Sequence, residues 1–590
     1  MLLFEFFDVR GLLDSGSRIA HAKAQRRKGV LKKYFLASWR LGVRFFILLA
    51  LCLLLLGCRQ TTTTQGTEIN LNLGSEPPTI DPLLATDPPT IQLDQLLFAN
   101  LIRLNEADGS PAPGLAREWL VSGDGLIWEF RLRDDVSWVK YNADTGEVER
   151  LRGINAEDVV YSVRRLFDPR TRSGFAPRFA PLLQNATAFV TADPRTSEDD
   201  LLRLAEDLGV KATGEYTVQF QLIQPTSAFP TIVGAWLGRV VPRENIEALG
   251  VNWTDIGEMW TSGPYVLIDR EPFRFLLLEK NPHYYDAENV AIERLRFRLL
   301  PDVASALDAY LRGELDTTDP YDSIEGANFE RVSADPALAR DMKLLPGLCT
   351  TYFAFNTGKA PFDNVQLRQA FALALNRNDV VSQVFEFGEP ARWFTPPQVN
   401  AAPDADADIG IAFDAPLAKT TLDQARIAGA RLPALVFGTN TNQQFLDAAV
   451  AAIQNWRATL AASITVEDAA FGTYVEQLRT DPPPIFRMGY CGSYPDAHNF
   501  LYDAWHSGSP YNFTKWSSPQ FDQLVTQAAR ETDVLKRRIL YSSAEKILVE
   551  QDAVMIPILW SQRASLTRPR VERTYAVMEG YERIENWKVK

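Results

Sequence analysis

The chain has 590 residues, a length typical of several domains; 61 residues are basic and 74 acidic, so the formal net charge is −13. Hydrophobic residues make up 46% of the chain and aromatic residues 11%. This balance provides a sizeable core and excludes a disordered chain, a collagen-like fibre and a protein with many membrane spans. The acidic charge also argues against a nucleic-acid-binding protein, which needs a basic surface.

The N-terminal 57 residues differ from the rest in charge. They hold ten of the 61 basic residues and three of the 74 acidic ones, so the remainder carries a charge of about −20. Residues 45–57 form an uninterrupted apolar run directly after Arg40 and Arg44. As a helix this run would span about 20 Å, less than the roughly 30 Å hydrocarbon core of a bilayer. We therefore predict a signal peptide over residues 1–57, with an uncleaved anchor as the alternative, and a true translation start near Val30 or later.

The end of the apolar run predicts lipidation. Leu55, Leu56, Gly57 and Cys58 resemble a bacterial lipobox, in which the cysteine becomes the lipid-bearing first residue of the mature protein. Residues 58–66 would then form the lipidated cysteine and a short polar tether. The sequence therefore predicts an extracytoplasmic protein that is lipid-anchored to the membrane, in the periplasm or on the outer face of the cell membrane.

The first predicted elements are strands and turns. Residues 68–73 alternate polar and apolar side chains, which predicts a half-buried strand. Asp124 and Gly125 lie between apolar runs and predict a hairpin turn, with the returning strand over residues 126–132. Residues 140–153 are charged and rich in turn formers, which predicts a surface hairpin or insertion.

Helices then begin to alternate with strands. Apolar residues recur at helical spacing over residues 155–166. Strands are predicted over residues 216–222, 273–278 and 295–300, and a helix over residues 301–311.

The C-terminal half continues this pattern. It contains two amphipathic helices, residues 363–376 and 445–460, and a strand over residues 463–466. Residues 401–415 are rich in Pro, Asp and Ala and predict a connection. Because strands and helices interleave throughout, the predicted fold class is α/β. No period of 20–50 residues repeats, which argues against a solenoid.

The cysteines leave two alternatives. Cys52 would be removed with the signal peptide and Cys58 would carry the lipid, which leaves Cys349 and Cys491. In an oxidising compartment two cysteines suggest one disulfide. Two unrelated buried thiols are the alternative, and the spacing alone does not decide between them.

Five groups of motifs follow one another over residues 67–590. They are SPAPGLAREW (110–119) with WEFRLRDD (128–135), TSGPY (261–265) with NPHYY (281–285), LCTTYFAFN (348–356) with APFDNVQLR (360–368), MGYC (488–491), and FTKWSSPQF (513–521). In their order and spacing they resemble the extracytoplasmic solute-binding proteins of the peptide/nickel ABC transporter family (family 5), and the oligopeptide-binding proteins in particular.

The resemblance implies an architecture. It is a two-lobed α/β fold of the periplasmic-binding-protein type, with the additional domain of the large cluster-C proteins and a hinged cleft between the lobes. Lobe I is expected from residues 67–99, 231–347 and 557–590. Residues 348–556 are expected to form lobe II, and residues 100–230 the additional domain.

The resemblance also implies how a ligand is held. Cys349 and Cys491 fall where the oligopeptide-binding members carry a cystine. In those proteins a strand around the second half-cystine pairs with the backbone of a bound peptide. Here that strand would be residues 485–493, which include Gly489 and Tyr490.

Charged and aromatic ligand contacts follow from the same resemblance. Arg487 and, with a one-residue gap, Arg479 fall on positions whose guanidinium groups meet the ligand carboxylate. A solvated surface charge is the alternative for either arginine. Tyr490 and Trp516 would offer apolar walls to ligand side chains, although without the resemblance each is more often a core residue than a pocket residue.

One position departs from the family pattern. The carboxylate that anchors a peptide's α-amino group belongs at position 493, where this chain has Ser493. Loss of one partner of an enclosed charge pair costs on the order of 3–5 kcal/mol. Either Asp496 or Asp87 replaces that acid, or the ligand has no free amino terminus. The alternative for Asp496 is a turn-capping residue.

Enzyme and metal functions are weaker interpretations. Cys491 with His498 and Asp496 could imitate a thiol nucleophile and its base, but a disulfide-bonded sulfur cannot attack a substrate. His498 and His506 with Asp503 could form part of a metal site, but they lack tight ligand spacing. No phosphate-binding loop or nucleophile-elbow motif occurs.

The sequence therefore predicts a monomeric, non-enzymatic binding protein that requires no cofactor. It would bind short peptides in a closing cleft and deliver them to an ABC permease with its separate ATPase. A non-peptide solute such as an oligosaccharide or a nickel complex is the alternative within the same family. A ligand-presenting role at a sensor and a secreted hydrolase are further alternatives.

Overall fold

The computed structural model describes residues 67–318 and 323–590. The predicted signal peptide, the tether and the lipidation site at Cys58 lie outside the described residues. Within the described ranges, every helix is either too short or too polar to cross a bilayer.

The strands of the described part are numbered here in chain order. They are β1 (Glu68–Asn72), β2 (Ile102–Leu104), β3 (Pro111–Pro113), β4 (Ala116–Val121), β5 (Ile127–Leu132), β6 (Ser137–Asn142), β7 (Glu147–Gly153), β8 (Val210–Gly214), β9 (Thr217–Gln221), β10 (Trp260–Thr261), β11 (Tyr265–Glu271), β12 (Phe275–Lys280), β13 (Arg294–Arg298), β14 (Met342–Phe355), β15 (Glu389–Pro390), β16 (Leu435–Asn440), β17 (Ile464–Ala469), β18 (Ile485–Cys491), β19 (Met555–Leu566), β20 (Val571–Glu572) and β21 (Lys588–Val589).

The α-helices of the same residues are numbered likewise. They are α1 (Pro88–Leu97), α2 (Ala156–Phe167), α3 (Ala176–Phe179), α4 (Ala186–Val190), α5 (Glu198–Glu206), α6 (Phe229–Ile232), α7 (Arg243–Leu249), α8 (Val303–Leu311), α9 (Ala327–Ala334), α10 (Pro336–Asp341), α11 (Val365–Leu373), α12 (Arg377–Val384), α13 (Ala415–Ile427), α14 (Gln443–Leu460), α15 (Phe471–Thr480), α16 (Pro519–Arg530) and α17 (Val534–Lys546). Short 3₁₀ turns occur at Ala180–Leu182, Gly250–Asn252, Ala287–Asn289 and Ile584–Asn586, and π-helical turns at Val233–Leu237, Asn499–Asp503 and Ile547–Gln551.

The first strand joins a sheet with segments far along the chain. Its order is β1-β13-β12-β11, with β1 parallel to β13 and the other pairs antiparallel. The predicted strand at residues 68–73 and the two strands before residue 301 are thereby confirmed. Ile69 and Leu71 face the core and are almost fully buried, as the alternation requires.

A second antiparallel sheet lies in the segment expected to form the additional domain. Its order is β4-β5-β9-β8. Gly125 has φ +75°, a value that favours glycine, and it closes the predicted hairpin between β4 and β5. The predicted helix at residues 155–166 is α2, capped by the side chain of Asn155. The predicted surface hairpin at residues 140–153 is β6 with β7.

The C-terminal half is built on a six-stranded mixed sheet. Its order is β15-β19-β14-β18-β16-β17. The predicted helices at residues 363–376 and 445–460 are α11 and α14, and the predicted strand at 463–466 is the start of β17. Phe353 of β14, Phe437 of β16 and Trp456 of α14 are fully buried together on one face of this sheet.

Two long strands of this sheet extend past the expected lobe boundaries. β14 begins at Met342, before residue 348, and β19 ends at Leu566, after residue 556. The outer ends of both strands contribute to a small separate core with α8 and α9, in which Leu307 and Leu566 are fully buried. The exact domain bounds stay a prediction.

Candidate ligand-binding cleft

A cavity of about 440 Å³ lies beside the ends of β14 and β18. Most of its lining is apolar, and its walls come from segments that are distant in sequence. They are residues 86–91 at the start of α1, residues 174–179, Trp236, residues 348–349 and 491–493 around the cystine, and residues 578–579 near the C-terminus.

The cystine forms one edge of the cleft. β14 and β18 run antiparallel with Cys349 directly opposite Cys491, and their Cα atoms are 4.0 Å apart. This spacing is that of a pair without mutual backbone hydrogen bonds, which brings side chains closest. The two sulfur atoms are bonded, as the resemblance implied, so Cys491 is not a free nucleophile.

The opposite side of β18 has an open backbone edge. The Gly492 N–H donates to the Leu348 carbonyl at 2.7 Å, so the even-numbered residues of β18 direct their backbone groups towards β14. The odd-numbered residues direct theirs to the other side, where β16 pairs only with Ile485 and Phe486. Beyond Phe486, no described strand pairs with this side of β18. On the side of β18 that faces away from β14, the backbone N–H and C=O groups of Gly489 and Cys491 therefore have no partner strand among the described residues.

Ser493 is fixed by its backbone at the end of this edge. The Trp236 Nε1–H donates to the Ser493 carbonyl at 2.7 Å, and the Ser493 N–H donates to Asn499 Oδ1 at 2.8 Å. Trp236 and Asn499 both lie in π-helical turns, which are frequent at functional sites. The side chain of Ser493 is left at the cleft wall.

Arg487 is a buried cation of β18 close to the open edge, although it does not itself line the cavity. Its Nη1 donates to Asn440 Oδ1 at 3.2 Å, and its guanidinium carbon lies 3.2 Å from the ring centre of Phe445. Burial lowers the pKa of Arg487 to about 10, against the opposing effect of Tyr474 and Tyr352. The side chain forms no ion pair with the described residues, although it is nearly fully buried. Such a charge is costly unless an anion reaches it.

Two predicted contacts lie away from the cleft. Arg479 is on the solvent face of α15, with 63% of its side chain exposed, and is 3.8 Å from Glu476. Trp516 is buried against Phe521, and its Nε1–H donates to Asp552 Oδ2 at 2.8 Å. Neither residue lines the cavity, so Arg479 is a surface charge in this structure and Trp516 belongs to the core.

Tyr490 also serves the core more than the cleft wall. Its hydroxyl donates to the Asn499 carbonyl at 3.0 Å, and its ring packs against Phe394 and Phe500. Burial raises the pKa of Tyr490 well above its ordinary value. Its contribution is to hold β18 against the turn that carries Asn499.

Neither acid proposed to replace the carboxylate at position 493 reaches the cleft. Asp496 is fully buried, pairs with Arg537, and accepts from Asn400 Nδ2 and the His498 N–H at 2.9 Å each. Asp87 caps α1 by accepting from the Thr90 N–H at 3.0 Å. Both carboxylates are therefore engaged by donors of the protein itself. The capping interpretation of Asp496 therefore describes its local role better than a ligand-binding one.

Most of the residues that line the cavity were missed by the sequence analysis. Arg178, Trp236 and Glu579 line the cavity from segments outside the five motif groups. No local motif marks them, because they come from segments that are distant in sequence. Only the contact between distant segments brings them together.

His498 and His506, which were considered as part of a metal site, have different carboxylate neighbours, Asp503 for His498 and Asp522 for His506. Burial lowers the pKa of His498 to about 4, and its Nδ1 lies 3.1 Å from the Tyr541 hydroxyl. His506 is 3.9 Å from Asp522. Across residues 67–318 and 323–590, no cluster of three or more His, Cys, Asp or Glu residues is placed to hold a metal ion.

The family profile of bacterial extracellular solute-binding proteins, family 5 (middle region), matches residues 110–512. The chain belongs to this family. The family consists of solute-binding proteins, in agreement with the resemblance found in the motifs.

Curated relatives span nearly the whole chain. The periplasmic murein peptide-binding protein MppA of Escherichia coli is 29% identical over 86% of this chain and 90% of its own length. The periplasmic oligopeptide-binding protein OppA of Salmonella typhimurium is 27% identical over 85% and 88%. The probable deoxycholate-binding periplasmic protein YgiS of Escherichia coli is 28% identical over 85% and 89%.

Solved structures share the fold. The unliganded open form of MppA, 27% identical, matches with a TM-score of 0.79 over 89% of this chain and 98% of that chain. A second structure of Escherichia coli MppA matches at the same identity with a TM-score of 0.59, over 89% and 99%. Since sequence identity is equal, the difference reflects the arrangement of the parts. The present structure is closer to the open form.

Proposed function

We propose that this protein is the extracytoplasmic substrate-binding component of an ABC importer and that it binds short peptides in the cleft beside the cystine. The observation that carries the proposal is the open edge of β18. This edge offers backbone donors and acceptors at Gly489 and Cys491 without a partner strand among the described residues.

An open strand edge suits a ligand with a peptide backbone. An extended peptide that adds as a strand pairs its own N–H and C=O groups with those of the edge, independently of side chains. Each backbone hydrogen bond contributes about 1 kcal/mol net. Gly489 has no side chain on this edge, and a Cβ there would lie 3.4 Å from Arg487 Nη2.

Arg487 supports an anionic group at one end of the ligand. Its guanidinium is buried without an ion pair among the described residues, and a peptide carboxylate is a bidentate partner for such a group. The names of MppA and OppA, which are peptide-binding proteins, support the same ligand class.

A non-peptide solute is the second candidate. Ser493 replaces the acid that the family resemblance places there, and Asp87 and Asp496 are engaged elsewhere. The similarity to YgiS, a probable deoxycholate-binding protein, also fits a ligand without an amino group. The largely apolar lining of the cavity is compatible with either candidate.

Mass spectrometry of the denatured, natively purified protein tests the assignment. We expect short peptides that co-purify with the protein in a one-to-one ratio. Added tri-alanine should displace them. A homogeneous non-peptide compound in the same place would contradict the peptide assignment and support the second candidate.

We further propose that the mature protein begins at Cys58, carries lipid there and functions as a monomer. The apolar run followed by Cys58 supports the lipidation, together with the periplasmic location named for MppA and OppA. Intact-mass analysis of detergent-extracted protein is expected to show an acylated Cys58 as the first residue. An N-terminus upstream of residue 58 would contradict lipidation.

A further inference from the structure

The open edge of β18 is short, because side chains from other segments engage the backbone at both of its ends. Ser493 is the next odd-numbered residue after Cys491. Its N–H donates to Asn499 Oδ1 at 2.8 Å, and its carbonyl accepts from the Trp236 Nε1–H at 2.7 Å. Ser493 therefore has no free N–H for an added strand, and the indole of Trp236 stands where a donor of that strand would reach the carbonyl.

Tyr474 of α15 closes the other end of the edge. Its hydroxyl oxygen lies 2.5 Å from the carbonyl oxygen of Arg487 and 3.0 Å from that of Gly438 in β16. Arg487 is the odd-numbered residue before Gly489, so its carbonyl belongs to the same side of β18. Since Tyr474 is only 1% exposed, it fills the gap where β16 and β18 separate.

The edge that remains between these two side chains consists of Gly489 and Cys491. Together they offer two N–H and two C=O groups. At about 3.3–3.4 Å per residue, the two residues are roughly 7 Å apart along the strand. A ligand strand that lies opposite residues 489–491 therefore contributes three residues, whichever direction it runs.

Trp236 is held in place by contacts on its ring. The ring centre lies 4.8 Å from that of Phe175 and 6.1 Å from that of Phe179. The guanidinium carbon of Arg239 lies 5.5 Å from the ring centre, and Arg239 is itself fixed by donating to the Pro82 carbonyl at 2.8 Å. A ligand that displaced the indole would lose these aromatic and cation–π contacts.

We propose that Trp236 limits the length of the ligand. Its indole ends the pairing edge at Cys491, so the preferred ligand presents three residues of extended backbone. This inference rests on the proposed function and specifies it. A ligand carboxylate at Arg487 fixes the end of the ligand near Tyr474, so an additional residue extends towards Trp236. There it meets an indole that already donates to the Ser493 carbonyl, and it gains no backbone hydrogen bond.

Isothermal titration of the wild type with alanine peptides of two to five residues tests the length limit. One backbone hydrogen bond corresponds to about fivefold in affinity. Tri-alanine is expected to bind about 5- to 25-fold more tightly than di-alanine, which leaves one or two of the four backbone groups unpaired. Tetra-alanine and penta-alanine are expected to bind no more tightly than tri-alanine.

Trp236→Phe tests whether the indole sets this limit. Phenylalanine keeps an aromatic ring beside Phe175 but has no N–H, so the Ser493 carbonyl becomes available to the ligand. The affinity ratio of tetra-alanine to tri-alanine is expected to rise about fivefold over that of the wild type. A general loss of stability would weaken both peptides and leave this ratio unchanged. Trp119→Phe is the matched control, because it removes a half-buried indole that packs against Phe130 in another sheet.

The outcomes separate this inference from the function on which it rests. If the wild-type affinity rises about fivefold with each residue through tetra-alanine and penta-alanine, the inference is overturned and peptide binding stands. The same follows if Trp236→Phe has the same ratio of tetra-alanine to tri-alanine affinity as the wild type. If the wild type binds none of the four peptides, the proposed function and the inference both fall. If Trp236→Phe does not fold, the wild-type length series still decides.

Discussion

At the scale of single residues, Arg487 and Arg479 are the pair that a sequence cannot separate. Both are arginines near β18, but Arg479 lies on the solvent face of α15 with an acidic neighbour, whereas Arg487 is buried on the aromatic ring of Phe445. An ion pair with a ligand carboxylate stabilises the complex little when the arginine is solvated. The same ion pair stabilises the complex much more when the guanidinium is desolvated and has no counter-ion.

We therefore predict unequal effects of the same substitution. Arg487→Gln should weaken binding of tri-alanine about 10- to 100-fold, because a charge-assisted bond to the carboxylate is lost. Arg479→Gln is the matched control and should change affinity less than about twofold. With tri-alanine amide as the ligand, Arg487→Gln should have little effect in calorimetric titration. If the substitution weakens the binding of tri-alanine and of tri-alanine amide equally, Arg487 has a structural role and does not bind the ligand carboxylate.

Glu545 of α17 is the buried acid with the clearest pH dependence. Its two carboxylate oxygens accept from the Phe394 and Thr395 N–H groups at 3.0 and 2.7 Å. Burial raises the pKa of Glu545 from 4.5 to about 7, because these hydrogen bonds offset only part of the desolvation. The folded protein therefore holds this proton more tightly than the unfolded chain does. The stabilising contribution of Glu545 is complete below about pH 4.5 and is lost as the pH rises through 7.

Glu545→Gln removes this titration. Between pH 4.5 and 8, the free energy of unfolding of the wild type should fall relative to that of the variant by on the order of 2–4 kcal/mol. Urea unfolding at several pH values measures this difference, with the exposed Glu288→Gln as a control that tracks the wild type. If the difference in unfolding free energy between the wild type and Glu545→Gln does not change with pH, the pKa of Glu545 is the same in the folded and unfolded protein.

At the scale of elements, local patterns predict most of the fold. The alternation at β1, the Asp124-Gly125 turn and the helical spacing of α2 depend on neighbours in sequence, and each is present in the structure. Hydrophobic periodicity specifies such elements without tertiary information.

The binding site is less predictable from the sequence, because it depends on which tertiary contact each polar side chain makes. Asp496 is three residues from Ser493, yet its carboxylate is used by Arg537, forty-one positions away. Glu579 reaches the cleft only through the packing of the C-terminal segment. Sequence spacing carries no information about either contact.

The cystine links β14 and β18 at the cleft edge and closes a loop of 142 residues. The chain-entropy model gives about 5 kcal/mol for such a loop as an upper figure. The double variant Cys349→Ser with Cys491→Ser should therefore lose roughly 2–5 kcal/mol of unfolding free energy in urea titrations. The double substitution avoids leaving a reactive single thiol. Wild-type protein that unfolds identically with and without reductant would contradict this contribution.

At the scale of the whole molecule, the structure resembles the unliganded open form of a relative more than it resembles a second structure of that relative. Its TM-score is 0.79 against the unliganded open form of MppA and 0.59 against a second structure of the same relative. A ligand shifts such an equilibrium only by its differential affinity for the two arrangements. A ligand that contacts both sides of a closing cleft would provide that difference.

Small-angle X-ray scattering should detect this closure. Saturating tri-alanine is expected to reduce the radius of gyration of the protein, since the walls of the cleft approach each other around the ligand. At a peptide concentration that just saturates the wild type, Arg487→Gln should remain largely expanded, and it should contract only when the concentration is raised by the factor lost in affinity. This comparison separates weaker binding from a failure to close. A radius that stays constant when calorimetry shows the wild type to be fully occupied would contradict a closing cleft and would leave a rigid pocket as the binding mode.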